Sequence, residues 1–247
     1  MTPHPTSTER RPTGFRPKHL LPNGITTISV VLGFLSILAS AAGQYHRAVL
    51  MLFAAGVCDL LDGRLARLLD AGSAFGGELD SLADAVAFGV APAVLAWFAF
   101  LRPLGAVGIG VAIIYLLAGI GRLARFNLDH SKRSTFFGAP IPVGAGYVLT
   151  FVLLRDVAPV AWLAVGMLLA AGLMISTLKV PNFKDRERSL PLVMLPVPLV
   201  AFSVFLARPS TVTWHVFNTI NFALVGLNYR MLARRPELKV VVKDKAA

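Results

Sequence analysis

Long apolar runs, broken by short joints carrying glycine, proline or charge, make up most of this chain. A run of about 17–25 apolar residues, at 1.5 Å per helical residue, matches a hydrocarbon core roughly 30 Å thick. The pattern predicts eight helical spans, at 21–42, 46–69, 77–101, 105–128, 140–156, 159–178, 190–207 and 211–232. Gly43, Pro103, Pro159 and Pro209 fall at the joints, where chain breakers belong. Pro159 opens the sixth span, a position at which a missing backbone N–H leaves no helical bond unmade. A six-span count, with a terminal helix pair merged or buried, is the alternative. The fold class is therefore all-α: a polytopic integral membrane helical bundle.

Composition agrees. Of 247 residues, 55% are apolar and 15% charged, outside the range of an ordinary soluble domain. Residues 1–19 are polar, Pro-rich and basic, with no apolar stretch before a cleavage site, and read as a disordered arm, not a signal peptide. Residues 20–232 form the transmembrane domain and 233–247 a basic tail. The single cysteine, Cys58, excludes an internal disulfide and reads as a small core residue.

Lysine and arginine set the orientation. With an even number of spans both termini share a side. Of the 24 basic residues only Arg47, Arg102, Arg155 and Arg208 lie on the opposite side. Both termini are thereby placed in the cytoplasm, and the protein in the cytoplasmic (inner) membrane. Trp97, Trp162 and Trp214 fall near the outer helix ends, as an aromatic belt would. Most of the net charge of +11 serves topology and attraction to anionic membrane lipids. Nucleic acid is not an expected partner, because the bases follow membrane loops and no recognition module is present.

Against this apolar background four carboxylates stand out: Asp59, Asp62, Asp80 and Asp84. An ionisable group inside a membrane span is a functional-site hypothesis by default. Residues three or four apart share a helix face, so Asp59 and Asp62 project together from the second span and Asp80 and Asp84 from the third. If those spans pack side by side, four oxygen ligands converge at their cytoplasmic ends. Such a cluster stays ionised only beside cations, and hard oxygen donors favour Mg²⁺ or Mn²⁺. Four negative charges balance two divalent ions.

The acids belong to a longer pattern, D-x2-D-G-x2-A-R-x8-G-x3-D-x3-D, complete over the 26 residues from Asp59 to Asp84. This resembles the signature of the CDP-alcohol phosphatidyltransferase family, whose members move a phosphatidyl group from a CDP-linked lipid to an alcohol and release CMP. The stretches Phe75–Asp84, Phe88–Pro92, Arg122–Asn127, Gly138–Gly146 and Val180–Lys184 are most similar to the branch formed by the bacterial membrane-embedded phosphatidylserine synthases. The resemblance covers roughly residues 20–190. It implies a bundle of that family's fold, CDP-diacylglycerol as donor, L-serine as acceptor, and a homodimer. It also implies that Asp59, Asp62 and Asp80 are metal ligands, and that Asp84 is both a ligand and the base that takes the acceptor's hydroxyl proton.

Other positions share the same resemblance, each beside a plainer reading. Gly63 and Ala66 would let the CDP-lipid approach the helix closely, or simply allow tight helix packing. Arg67, one turn past Gly63, can hold phosphate in a bidentate grip, or pair with Asp70. Asn23 and Thr26 open the first span and match a nucleotide-contacting start; a helix cap is the alternative for Asn23. Ser73 and Gly76 complete the expected donor site. For the acceptor, Arg122, Arg125, Asn127 and Lys184 are candidates for the serine carboxylate or the donor phosphate, against an anchoring role at the cytoplasmic helix ends. Gly138, Pro140, Pro142 and Gly144 shape the start of a helix near the site. The five histidines lack metal-ligand spacing and are assigned to structure or solvent.

Three rival functions remain at this level. Another acceptor, such as glycerol 3-phosphate, inositol phosphate or choline, would keep the family. An ion-coupled transporter would also carry intramembrane acids, but these acids cluster at one face and no matched, interrupted helices appear in the two halves. A lipid-binding scaffold has no need of the complete motif.

Overall fold

Six of the predicted spans are helices in the computed structural model, which describes residues 17–128, 135–177 and 179–181. The two last predicted spans, with Pro209, Trp214, Lys184 and the basic tail, lie outside the described residues. The helices are α1 (Leu20–Ala41), α2 (Tyr45–Leu68), α3 (Ala74–Leu104), α4 (Ala106–Leu128), α5 (Ile141–Leu153) and α6 (Val160–Ile175). Contacts divide the chain into two units, Met1–Ala124 with Pro140–Met174, and Arg125–Ala139 with Ile175–Ala247.

In the first unit α1 is apolar on its exposed faces and small or polar where it is buried. α1 buries Thr26, Ser29, Gly33, Ser36, Ala39 and Ser40 along one stripe and exposes Ile28, Val31, Phe34, Leu35 and Leu38 on the other faces. In water this arrangement would be inverted; against lipid tails large apolar side chains belong outside, and small residues let helices approach. The stripe packs on α2 through hydroxyls, with Ser29 Oγ donating to the Ala55 carbonyl at 3.2 Å and Ser36 Oγ to the Ala48 carbonyl at 3.0 Å. Gly33 faces α3 so closely that a Cβ there would lie 3.0 Å from Ala87 Cα. Three helices among the described residues, α1, α3 and α4, are long and apolar enough to cross a membrane. These are the marks of an integral membrane protein.

The joints explain where helices stop. Gly43 takes a left-handed φ of 73° at the end of α1, with Gln44 N–H bonded back to the Ala39 carbonyl. α2 ends in the same manner around Asp70, whose φ is 45° and after which Ala71 N–H reaches the Ala66 carbonyl. α3 begins at Ala74, three residues earlier than predicted, because Ser73 Oγ accepts from Gly76 N–H at 3.0 Å and caps the helix. α3 is not uniform: Ala85–Val90 and Trp97–Leu101 are π-helical and Arg102–Leu104 is a 3-10 turn. Gly105, with φ 56°, turns the chain into α4.

α5 is shorter than its predicted span of 140–156. It stops at Leu153, where Arg155 folds back on the Val152 carbonyl and pairs with Asp156 at 3.1 Å, so two charges terminate the apolar run. The last residues of the predicted arm are described. Pro17–His19 form one 3-10 turn, and Lys18 and His19 bond to the loop after α2. Cys58, expected in the core, is only partly buried.

In the second unit the expectation of helix alone needs correction. Thr135–Phe137 and Lys179–Pro181 form a two-stranded antiparallel ribbon, pairing Phe136 with Val180. Aromatic and β-branched residues in these short segments suit a pleat, and Pro181 sits at the ribbon's end, where its missing N–H is tolerated. Arg125 donates from Nη1 to the Ile175 carbonyl at 3.1 Å and from Nη2 to the Ser176 carbonyl at 3.2 Å. These carbonyls lie at a helix C-terminus, where they lack helical donors and favour a cation.

Candidate active site

α2 and α3 run into a loop of five residues, Leu69–Ser73, so the last turns of one helix and the first turns of the other lie at one end of the first unit. The helix-sharing spacing then operates in three dimensions. Asp59 and Asp62 on α2 and Asp80 on α3 each bring one carboxylate oxygen within 4.8 Å of the other two. Among the described residues this is the group able to hold a metal. Asp84 stands one turn beyond Asp80 on the same face of α3 and is not among these three.

Asp62 is the most enclosed of the three, 4% exposed. Thr26 of α1 places its Oγ1 2.5 Å from Asp62 Oδ2 and 3.1 Å from the Pro22 carbonyl. The single hydroxyl proton goes to the closer, charged acceptor, since hydrogen bonds to an ionised oxygen are the stronger ones. Thr26, expected at the donor site, thus also orients a carboxylate of the cluster. The sequence offers a signal for this in hindsight: a hydroxyl on the small-residue stripe of α1 needs an acceptor on the helix it faces.

The electrostatics demand a counter-charge. Two unit charges 4 Å apart repel by about 4 kcal/mol at an effective dielectric near 20. Three carboxylates within 4.8 Å of one another contain three such pairs. The donor set suits a hard divalent cation: an octahedral ion with oxygens at roughly 2.0–2.1 Å has ligand oxygens about 3–4 Å apart. All three donors are carboxylate oxygens, with no thiol or imidazole to favour a softer metal.

The remaining motif residues lie in the same unit as this cluster. Arg67 is exposed, and its Nη1 lies 3.7 Å from where a Cβ on Gly63 would stand, so the guanidinium lies over the glycine. Ala66 and Gly63 are half-buried. Asn23 Oδ1 and Ser73 Oγ both lie 3.0 Å from where a Cβ on Gly76 would stand, which brings the start of α1 against the start of α3. The loop between α2 and α3 is held from the N-terminal side: Lys18 Nζ donates to the Asp70 carbonyl, and His19 Nδ1 lies 2.7 Å from the Ala71 carbonyl. That anchoring of the motif loop was not foreseen. Arg122, 7% exposed, belongs to the first unit; Arg125 and half-buried Asn127 belong to the second; Lys184 lies outside the described residues. Gly144 and Pro142 lie in the first turns of α5, after Pro140 and Gly138, the last with a φ of 74°.

Comparison with known proteins is consistent with this site. The sequence model for CDP-alcohol phosphatidyltransferase matches residues 19–180. CDP-diacylglycerol–serine O-phosphatidyltransferase of Helicobacter pylori J99 is 38% identical over 207 residues, 77% of this chain and 87% of that protein. The Bacillus subtilis protein of the same name is 42% identical over 164 residues, 66% of this chain and 91% of the relative. The Mycobacterium leprae protein of that name is 34% identical over 241 residues, 88% and 78% of the two chains. In fold, the chain is similar to phosphatidylinositol phosphate synthase of Mycobacterium tuberculosis, solved with CDP-DAG bound. That TM-score is 0.51 at 22% identity, covering 65% of this chain and 89% of the other.

Proposed function

The chain belongs to the CDP-alcohol phosphatidyltransferase family, and from that premise we propose that it transfers the phosphatidyl group of CDP-diacylglycerol to the hydroxyl of L-serine and releases CMP. The observation that carries the reading is the convergence of Asp59, Asp62 and Asp80 oxygens within 4.8 Å, in a chain whose serine-using relatives match it over most of their length.

The serine hydroxyl oxygen attacks the phosphatidyl phosphorus of the donor. One P–O bond forms, the anhydride P–O bond to the cytidylyl phosphate breaks, and CMP leaves with the electron pair. Asp84 takes the hydroxyl proton, since a base within hydrogen-bond reach makes the alcohol a competent nucleophile. When bound, divalent ions, Mg²⁺ or Mn²⁺ and two in number, would supply positive charge to offset the negative charge that develops in the transfer. Asp59, Asp62, Asp80 and Asp84 hold them. Arg67 grips the donor's pyrophosphate over Gly63, and Asn23, Thr26, Ala66, Ser73 and Gly76 complete the donor surface. Arg122, Arg125, Asn127 and Lys184 are the candidates, by the family resemblance, for holding the serine carboxylate or the donor phosphate. Attack is direct, with no phosphatidylated enzyme.

The reading extends to the assembly. The domain runs over 20–232 as eight spans in the inner membrane, with the 1–19 arm, the 233–247 tail and the site on the cytoplasmic side. Two chains associate.

Purified protein in detergent, given CDP-diacylglycerol and Mn²⁺ or Mg²⁺ with one acceptor at a time, tests the proposal. Serine-dependent CMP release, abolished in Asp84→Asn and by chelation, is the expected result. Release with glycerol 3-phosphate or another alcohol in place of serine would overturn the acceptor, and no release with any acceptor would overturn the reaction.

A further inference from the structure

One of the two π-helical stretches among the described residues lies immediately after Asp84. Ala85–Val90 is π-helical, with Ala91 N–H bonded to the Val86 carbonyl five residues back. Pro92 is the sequence reason. In an α-helix its N–H would serve the Phe88 carbonyl, but proline has none, and its ring presses on that same carbonyl. In a bilayer an orphaned carbonyl must find its partner inside the protein. The partner is Tyr115 of α4, whose hydroxyl donates to the Phe88 carbonyl at 2.9 Å from a fully buried ring. Gly33 of α1 presses on Ala87 from another helix.

A second carbonyl is served in a similar way in the other π-helical stretch. In Trp97–Leu101 the Arg102 N–H bonds to the Trp97 carbonyl five residues back, and so not to Phe98, its α-helical acceptor. Tyr45 of α2 donates its hydroxyl to the Phe98 carbonyl at 2.8 Å. Each π-helical stretch thus has one carbonyl bonded by a tyrosine hydroxyl from a neighbouring helix.

Only the first of these stands beside the chemistry. A π turn inserts a residue into the α-helical register and so rotates the helix before it by about 100° relative to the helix after it. We propose that Tyr115 is a positioning residue for the reaction: its hydroxyl holds open the turn that Pro92 creates, and so sets the rotation of the segment that presents Asp80 and Asp84. This rests on the reading of Asp84 as the base. Tyr115 touches neither substrate; it acts through the Phe88 carbonyl and the turn.

Four full-length variants test it by CMP release and thermal melting. Tyr115→Phe removes only the donor, and its kcat is expected to fall about tenfold or more, with the KM values for serine and CDP-diacylglycerol within about twofold. Tyr45→Phe loses the similar bond about 15 Å further along the helix and should melt lower while keeping kcat within about twofold. Pro92→Ala returns the missing N–H and lets the turn tighten, so it should lose kcat without a lower melting temperature, which simple destabilisation cannot produce. If Tyr115→Phe does not fold, Pro92→Ala carries the test alone. Full kcat in folded Tyr115→Phe or Pro92→Ala, with Asp84→Asn inactive, overturns the proposal. Full kcat in Asp84→Asn overturns the underlying assignment of the base instead.

Discussion

At the scale of single residues the site is a balance between repulsion and orientation. Asp59, Asp62 and Asp80 crowd three carboxylates together in the membrane domain, a geometry that costs stability unless cations neutralise it. Asp80→Asn removes one of the charges. Melting in EDTA should then occur above the parent protein, whereas the stabilisation that Mn²⁺ gives the parent should shrink and CMP release should vanish. Such a stability gain with loss of activity is the trade expected at a functional site. Thr26→Val tests the other half of the balance. It deletes the hydroxyl on Asp62, a bond to a charged acceptor contributing about 1.5–3 kcal/mol. Melting should drop, and more Mn²⁺ should be needed for half-maximal activity; an unchanged metal requirement would limit Thr26 to structure.

Among elements, the contact of α1 with its neighbours sets how far the carboxylate helices stand apart. Gly33 approaches Ala87 at the closest distance a Cβ could bear, so Gly33→Leu forces α1 away from the turn beside Asp84. A loss of stability of about 1–3 kcal/mol is expected from such overpacking, read as a lower melting temperature, together with lower kcat. The five-residue loop joining α2 to α3 is a second lever. His19→Ala removes the contact to the Ala71 carbonyl, and amide exchange in residues 69–73 should accelerate about fivefold, as loss of one bond of about 1 kcal/mol implies. Unchanged exchange would mean that the loop holds itself.

For the molecule as a whole, the outward-facing leucines, isoleucines and phenylalanines and the inward-facing hydroxyls and small residues are the arrangement lipid selects. Orientation is then a matter of charge, and it is measurable. In a Cys58→Ser background, exposed Gly72→Cys in the motif loop should react with an impermeant maleimide only after membranes are opened, while Gln44→Cys at the far helix end should react in intact cells. The reverse pattern would place the carboxylates outside. This result bears on function directly, because a nucleotide-linked lipid and free serine are both met on the cytoplasmic face.

Local pattern determined much of this protein. Apolar runs of helical length located six described helices to within a few residues in most cases, the spacing of Asp59, Asp62, Asp80 and Asp84 announced the helix faces, and the resemblance of the longer motif announced the family. These features depend on neighbours three or four residues away, which a linear reading contains. Tertiary packing decided the rest. It selected which carboxylate oxygens meet, gave Asp62 its partner 36 residues earlier in Thr26, ended α5 at a charge pair, and paired Thr135–Phe137 with Lys179–Pro181 in a ribbon. It also assigned Tyr115 to the carbonyl that Pro92 left unserved. The missing N–H of Pro92 is legible in the sequence; the identity of the donor that replaces it, 27 residues beyond Phe88, is not, because it depends on how one helix rotates and settles against another.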